Sequence, residues 1–301
     1  MGGGEPLSPP FVSVVVATRD GGERLSGCLA SLLEQDYPLE AFEVIVVDNP
    51  PSERTAAMVA ALAGRAPDPA IRYLSRAEPD RSEARNVGFD AARGDPICVV
   101  DDDTVMPRGW LRALTEAAVR NPEAGCVGGP IRARFEHPPP RTCEHHELAG
   151  TSLDEGPEEI EVKLVWSGNM AVRREALARV GPFKPGLVAA EEWEWERRLR
   201  AAGGRVVYTP DAWLWHRRFR EDMRLPTMLR KYFAAGLTVG THKRPEGAPA
   251  LVGELALYAF RTARWSWHAV RGRCTRGLTD AARCAGIVWA MATRPSGRRS
   301  A

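Results

Sequence analysis

No run in this sequence approaches the roughly 20 apolar residues that a membrane-spanning helix needs, so nothing in it reads as a bilayer crossing. Its opening, Met1-Gly2-Gly3-Gly4-Glu5-Pro6, lacks the basic start and apolar stretch of a secretory signal, and residues 1–10 read as a disordered lead-in. The six cysteines (28, 98, 126, 143, 274 and 284) are scattered, with no C-x-x-C pair, and several sit inside apolar runs. That argues against a disulfide framework and fits a reducing, cytoplasmic setting. Cys143, His145, His146 and His137 lack the paired spacing of a zinc site and lie in a Pro-rich stretch. There is no internal repeat of 20 to 50 residues. No G-x-G-x-x-G follows the first apolar run, which excludes a Rossmann dehydrogenase. Acids are scarce at the end of the chain: residues 217–301 carry 17 Lys and Arg against 5 Asp and Glu, whereas residues 1–216 carry 24 against 34. A basic tail of this kind meets an anionic partner, and the charge alone does not say which.

What is present is an enzyme-sized chain of 301 residues, 44% hydrophobic, enough for one large core or two modest ones. Val12 to Ala17 is a β-branched run, followed by Leu25, Cys28, Leu29, Leu32 and Leu33 at helical spacing. The alternation continues with a strand at Val44 to Val47, a helix over Thr55 to Ala63, a strand at Ile71 to Tyr73, a helix over Ser82 to Ala92 and a strand at Ile97 to Val100. Continuous apolar strands separated by helices predict an α/β fold with a mostly parallel sheet covered on both faces. From Gly128 to Glu161 the pattern breaks around His137-Pro138-Pro139-Pro140, and this stretch reads as a mobile loop over a cleft. Order returns with a helix at Arg174 to Val180, a helix from Glu191 to Ala202 and a strand at Val206 to Tyr208 ending near His216. From about Pro226 the pattern is helical, with Arg261, Arg264, Arg271 and Arg273 clustered near Trp265 and Trp267. That composition fits either a membrane-surface helix or a helix packed on the catalytic domain with a solvated basic face.

Ligands of such sheets bind beyond the carboxyl ends of the strands. The residues there are Thr18-Arg19-Asp20, Asp48-Asn49 and Asp101-Asp102-Asp103. Three adjacent acids repel one another, so their presence calls for a compensating charge. A hard divalent cation held by carboxylates, itself neutralising a diphosphate, supplies it. Asp103 is the first candidate ligand. The pieces Val12 to Asp20, Val44 to Asn49, Ala84-Arg85-Asn86-Val87-Gly88, Gly94-Asp95, Asp101 to Asp103, Ser167-Gly168-Asn169-Met170-Ala171, Gly181-Pro182-Phe183 and Glu191-Glu192 with Arg198-Leu199 occur in the order found in the inverting family 2 glycosyltransferases. Between Val12 and His216 the chain resembles that family.

The resemblance implies a Rossmann-like GT-A fold, a nucleoside-diphosphate sugar donor, most often a UDP-sugar, and Mn²⁺ or Mg²⁺ as cofactor. The expected layout is a catalytic domain at 11–220, with a nucleotide-binding half (11–103) and an acceptor-binding half (104–220), then a basic helical extension at 221–301. The implied nucleotide contacts are Thr18, Asp48 on the base, Arg85 on phosphate, Asp101 and Asp102. Asp101, Asp103 and His216 are the candidate metal ligands, a neutral imidazole being a common third ligand. An inverting transfer needs one base, and the family pattern places Glu192 there, where relatives carry Asp; Glu191 and Glu194 are the alternatives. Trp166, Asn169 and Trp193 are the candidate acceptor or sugar contacts, although tryptophans on a helix beside a sheet, Trp193 and Trp195 here, are commonly core. The acceptor is a small molecule, a glycan or a lipid-linked sugar; nucleic acid is not an expected partner. Peripheral contact with the inner face of a membrane would come through the basic helices. Two rivals remain at this level: a nucleotidyltransferase, for which Gly21-Gly22 with Arg19 and Arg24 is a faint echo of a triphosphate loop, and a non-catalytic sugar-nucleotide-binding protein.

Overall fold

A computed structural model of the chain describes residues 9–65, 68–142, 151–243, 245, 247–272 and 274–293. The chain forms two compact units, the first comprising residues 1–132, 153–185 and 195–216, the second 133–152, 186–194 and 217–301.

The first unit is built on strands β1 (Val12–Thr18), β2 (Phe42–Asp48), β3 (Ala70–Ser75), β4 (Ile97–Asp101), β5 (Thr104–Val105) and β6 (Ala124–Gly128). Helices α1 (Gly22–Leu33), α2 (Glu53–Ala63), α3 (Arg81–Ala91) and α4 (Trp110–Arg120) connect them. Beyond these come β7 (Ile131–Phe135), β8 (Ile160–Glu161), β9 (Asn169–Val172), α5 (Arg174–Val180), α6 (Glu191–Ala201), β10 (Arg205–Tyr208) and β11 (Leu214–Arg218). Eight strands make one sheet in the order β3-β2-β1-β4-β9-β6-β10-β8. Strands β1 to β4 are mutually parallel, and β9 runs antiparallel between β4 and β6.

The sequence dictates this because both faces of the central strands are apolar. Val14 and Val16 on β1, Val44 and Val46 on β2, and Cys98 and Val100 on β4 enter one core with Leu25, Leu29 and Leu32 of α1 and Trp110, Leu111 and Leu114 of α4. The intervening Val15, Ile45, Val47, Ile97 and Val99 enter a second core with Ala84 and Phe89 of α3 and Trp195 and Leu199 of α6. Strand side chains alternate between faces, so an unbroken apolar run is the signature of a sheet covered twice. Helix α3 starts where Asp80 accepts a hydrogen bond from the Glu83 amide, 3.1 Å, and it lies so close to the sheet that a Cβ on Gly88 would stand 2.3 Å from Val15 Cγ1.

Two expectations change. The stretch from Gly128 contains β7, whose Ile131 is buried, so the break in regular structure begins after Phe135. The segment read as one strand from Val206 toward His216 is two: β10 stops before Pro210, which has no amide hydrogen to donate to a ladder, and His216 rides on β11. Of the residues weighed for zinc, Cys143, His145 and His146 lie outside the described set. Cys28, Cys98, Cys126, Cys274 and Cys284 are buried free thiols.

The second unit is helical, with α7 (Leu225–Lys243), α8 (Ala248–Gly272) and α9 (Thr275–Thr293). Val239, Tyr258, Cys284, Ile287 and Met291 form its core, with Leu251, Leu255 and Trp265 against them. Helices α7 and α9 touch backbone to backbone, for a Cβ on Gly236 would meet the Arg283 carbonyl oxygen at 2.1 Å and one on Gly286 the Phe233 carbonyl oxygen at 2.2 Å. No helix among the described residues is long and apolar enough to cross a membrane.

Candidate functional site

Sheet register gathers the polar strand ends. Thr18 pairs with Asp48, and Ala17 with Asp101, so the carboxyl ends of β1, β2 and β4 finish level with one another. After Asp101 the chain turns tightly, the Thr104 hydroxyl donating to the Asp101 carbonyl at 2.7 Å, and enters β5. Strand β11 pairs antiparallel with β5, His216 opposite Thr104. This brings His216 Nε2 to 2.8 Å from Asp103 Oδ1. One ligand atom each from Asp101, Asp103 and His216 lie within 4.8 Å of one another, and their side chains are 24%, 13% and 9% exposed. Two carboxylate oxygens and an imidazole nitrogen at a rim still open to solvent are a donor set that could hold a divalent metal. His216 Nδ1 is buried without a hydrogen-bond partner, so nothing on that side fixes the ring.

The three aspartates are not equivalent. Burial opposes ionisation of Asp101, but Arg85 and then Arg81 outweigh it and hold the carboxyl below the ordinary range. Asp102 is pushed up to about 7, first by burial and then by the negative charge of Asp103, against the hydrogen bond it accepts from Thr18 Oγ1 at 2.5 Å. Asp101 is thus held ionised while Asp102 takes up a proton far more readily than an ordinary aspartate, which relieves part of the repulsion that adjacent carboxylates would generate. Arg24 of α1 reaches Asp103 Oδ2 at 3.3 Å.

Arg85 is wholly buried on α3 and donates to Asp101 Oδ1 at 2.7 Å, so in this conformation it orients a metal-ligand candidate from behind. Gly168 leaves room on the other side, since a Cβ there would stand 3.0 Å from Asp101 Oδ2. Asp48 divides its carboxylate: Oδ2 accepts from the Ser52 amide at 2.7 Å and the Tyr73 hydroxyl at 3.2 Å, while Oδ1 is buried without a partner. The turn after β2 therefore uses one oxygen and leaves the other to accept from a ligand. Beside it, Asn49 accepts from the Asp80 amide at 2.9 Å and donates to the Glu78 carbonyl at 2.7 Å, tying the β2 end to the start of α3.

Asn86 exchanges two hydrogen bonds with the Phe183 backbone, 2.8 and 3.0 Å, and the Phe183 ring sits between Phe89 at 5.4 Å and Trp195 at 5.8 Å. The Asn of one sequence piece and the Gly-Pro-Phe of another are thus one brace. Asn169 is wholly buried, accepting from Trp110 Nε1 at 2.8 Å and donating to the carbonyls of Pro130 and Ala212. Its amide is spent inside the fold rather than offered to an acceptor. Trp166 packs partly buried against the first core.

Glu191, Glu192 and Glu194 at the start of α6 fall in the second unit. Glu191 and Glu194 are buried and Glu192 is half-buried. Glu194 Oε1 stands 3.9 Å from His242 Nε2, and Trp193 packs edge-on against the same imidazole at 6.0 Å. Arg24, Tyr73 and Trp110 escaped the sequence reading. Arg24 reads in the sequence only as part of a faint triphosphate-loop echo, and Tyr73 and Trp110 lie on elements whose apolar pattern gives no hint of the hydrogen bonds they give to Asp48 and Asn169.

The chain matches the family model described as Glycosyl transferase family 2 over residues 13–181, more than half its length. It is 28% identical over 222 residues to the succinoglycan biosynthesis protein ExoM of Rhizobium meliloti, covering 72% of this chain and 70% of that one. Over 222 residues it is 27% identical to a glucosyl-dolichyl phosphate glucuronosyltransferase of Haloferax volcanii, covering 69% of each. Among solved structures it superposes on the mannosyltransferase PcManGT from Pyrobaculum calidifontis, in complex with GDP-Man and Mn²⁺, with a TM-score of 0.67 at 19% identity, over 95% of this chain and 89% of that one. Staphylococcal (S. aureus) TarS 1–349 in complex with UDP-GlcNAc gives 0.57 at 18% identity, over 87% and 74%. A parallel sheet with its acids gathered at the carboxyl edge and a family match across those strands lead to one conclusion: the chain is a glycosyltransferase of GT-A fold and belongs to glycosyl transferase family 2.

Proposed function

We propose that this protein transfers a sugar from a nucleoside-diphosphate sugar, with UDP as the first nucleotide to test, to an acceptor hydroxyl with inversion at the anomeric carbon, and that it requires a divalent metal. The observation that carries the reading is the Asp101, Asp103 and His216 triad at the carboxyl edge of the sheet. When bound there, Mn²⁺ or Mg²⁺ would neutralise the diphosphate leaving group. The protein's own residues do the rest. Asp48 Oδ1 accepts from an N–H on the nucleobase edge. Asp101, held by Arg85, and Asp102, held by Thr18, line the ribose and diphosphate side. Glu192 takes the acceptor proton as the hydroxyl oxygen forms its bond to the anomeric carbon and the bond to the diphosphate oxygen breaks, the electron pair leaving with the nucleoside diphosphate. A glutamate reaches one methylene farther than the aspartate usual in relatives, so Glu191 is the alternative base.

The catalytic domain in this proposal is residues 11–220, with 221–301 as a helical extension, and the acceptor is a small molecule, a glycan or a lipid-linked sugar met at the inner face of a membrane. The nucleotidyltransferase alternative needs a basic loop gripping a triphosphate, and Arg24 is instead engaged with Asp103. The test is release of nucleoside diphosphate from UDP-, GDP- and dTDP-sugars with glycan and lipid-linked acceptors, followed by the anomeric coupling of the product in NMR. An inverted product supports the proposal. Retention of configuration overturns the single-displacement step, and failure with every donor overturns the activity.

A further inference from the structure

Helix α8 has two apolar faces where a surface helix needs one. Leu251, Leu255, Tyr258 and Trp265 pack into the core of the helical unit. On the opposite side Val252, Phe260, Trp267 and Val270 are 65%, 65%, 66% and 75% exposed. Their spacing of eight, seven and three residues approximates whole helical turns, so they form one stripe, which the exposed Ala256 and Ala263 complete. The stripe runs about 27 Å along the helix. Of the two tryptophans that the sequence groups with a cluster of arginines, Trp265 turns inward and Trp267 outward, and Arg273 lies outside the described residues.

The charge beside the stripe selects its occupant. Arg264 and Arg271 are exposed along one edge, Arg261 stands farther round over the Tyr258 ring at 5.2 Å, and Glu254 is the only acid in the 25 residues of α8. Residues 217–301 as a whole carry 17 Lys and Arg against 5 Asp and Glu. Two copies packed stripe to stripe would bring arginines together with almost no acid to meet them. An anionic bilayer surface offers what this face lacks: an acyl boundary for the aliphatic and aromatic side chains, an interfacial layer for the amphipathic Trp ring, and phosphates for guanidinium groups on flexible stems. The helix lies on such a surface rather than crossing it, because its 25 residues, although enough in number, are not apolar enough to span.

We propose that the outward face of α8 docks on anionic lipid headgroups, with Val252, Phe260, Trp267 and Val270 entering the acyl boundary and Arg264 and Arg271 engaging phosphates. This goes beyond the transfer reaction and stands without it, since docking is measured with no donor present. Flotation of the full chain with phosphatidylcholine vesicles and with vesicles containing phosphatidylglycerol, at low and high salt, tests it. Expected is binding to the anionic vesicles that weakens with salt, and that falls by about tenfold or more both in Phe260→Ser/Trp267→Ser and in Arg264→Glu/Arg271→Glu. Helix content by circular dichroism stays unchanged in both variants. Three results would each overturn the proposal: no binding to anionic vesicles, equal binding by wild type and both variants, or a sedimenting dimer that the Phe260/Trp267 variant dissociates in the absence of any vesicle binding. The last would assign the face to a second copy of this chain.

Discussion

Glu43 shows how a single buried charge is held in this fold. It is wholly buried, yet all its lone pairs are used: Oε1 accepts from Ser13 Oγ at 2.7 Å and the Arg93 amide at 2.9 Å, and Oε2 from Arg72 and Arg93 side chains at about 3 Å. Burial raises its pKa, but the bonds from Ser13, Arg93 and Arg72 together win and lower it. A carboxyl whose folded pKa is depressed adds stability above its unfolded value, near 4.3, and that contribution is lost as pH falls through the folded value. Glu43→Gln is therefore expected to lower unfolding free energy at pH 7 by about 2 kcal/mol, discounted from buried-pair values because Arg72 and Arg93 are 37% and 59% exposed. The difference from wild type should shrink below pH 4, as read by urea titration at both pH values. At the same scale, Glu192→Gln is expected to keep donor affinity and reduce kcat by about 10² to 10⁴, with Glu191→Gln and Glu194→Gln doing much less. Residues one and two apart on a helix point about 100° and 200° apart, and Glu194 points toward His242. Loss of turnover in Glu191→Gln or Glu194→Gln with Glu192→Gln unaffected would move the base. The Asp triplet was legible because adjacent acids are costly without a purpose; the burial of Arg85 was not, because an arginine on a helix usually reaches solvent.

At the scale of elements, the strands were legible wherever both faces of the sheet are covered, since β1, β2 and β4 are continuous apolar runs with few other readings. Strands β7 and β11 were not: Ile131-Arg132-Ala133-Arg134-Phe135 is a short alternation that a loop also tolerates, and Leu214-Trp215-His216-Arg217-Arg218 buries His216 and Arg218, residue types that read as solvent-facing. The Ala-Arg-Asn-x-Gly run is a whole helix face in register: Arg85 to Asp101, Asn86 to Phe183, Gly88 against Val15. Gly88→Ala tests that packing. Alanine gains about 1 kcal/mol of helix propensity over glycine, but a Cβ 2.3 Å from a buried, branched Val15 must displace helix or strand, and overpacking costs about 1 to 3 kcal/mol. A lower melting temperature is expected, together with weaker nucleotide binding as Arg85 shifts with α3. A variant at least as stable as wild type would mean that the helix and sheet have slack.

For the whole molecule, the family match ends at residue 181, while the Glu191 to Glu194 segment and the basic helices lie beyond it. The acidic residues 1–216 carry the large sheet with α1 to α6 and the basic residues 217–301 carry α7 to α9, a change of character visible in charge alone. The order of helices α7 to α9 was foreseen only as helical pattern, because the close glycine contacts of α7 with α9 join residues some 50 apart in sequence, Gly236 with Arg283 for example. The account rests on one coupling, that of nucleotide and metal at Asp101, Asp103 and His216. Calorimetric titration of UDP, GDP and dTDP into the protein, with Mn²⁺ and with chelator, measures it directly. One nucleoside diphosphate is expected to bind only when metal is present, to stabilise the fold by about 2.7 kcal/mol at 100 times its Kd, and to lose that binding in a folded Asp103→Ala variant. Nucleotide affinity indifferent to metal, or unchanged in Asp103→Ala, would contradict it.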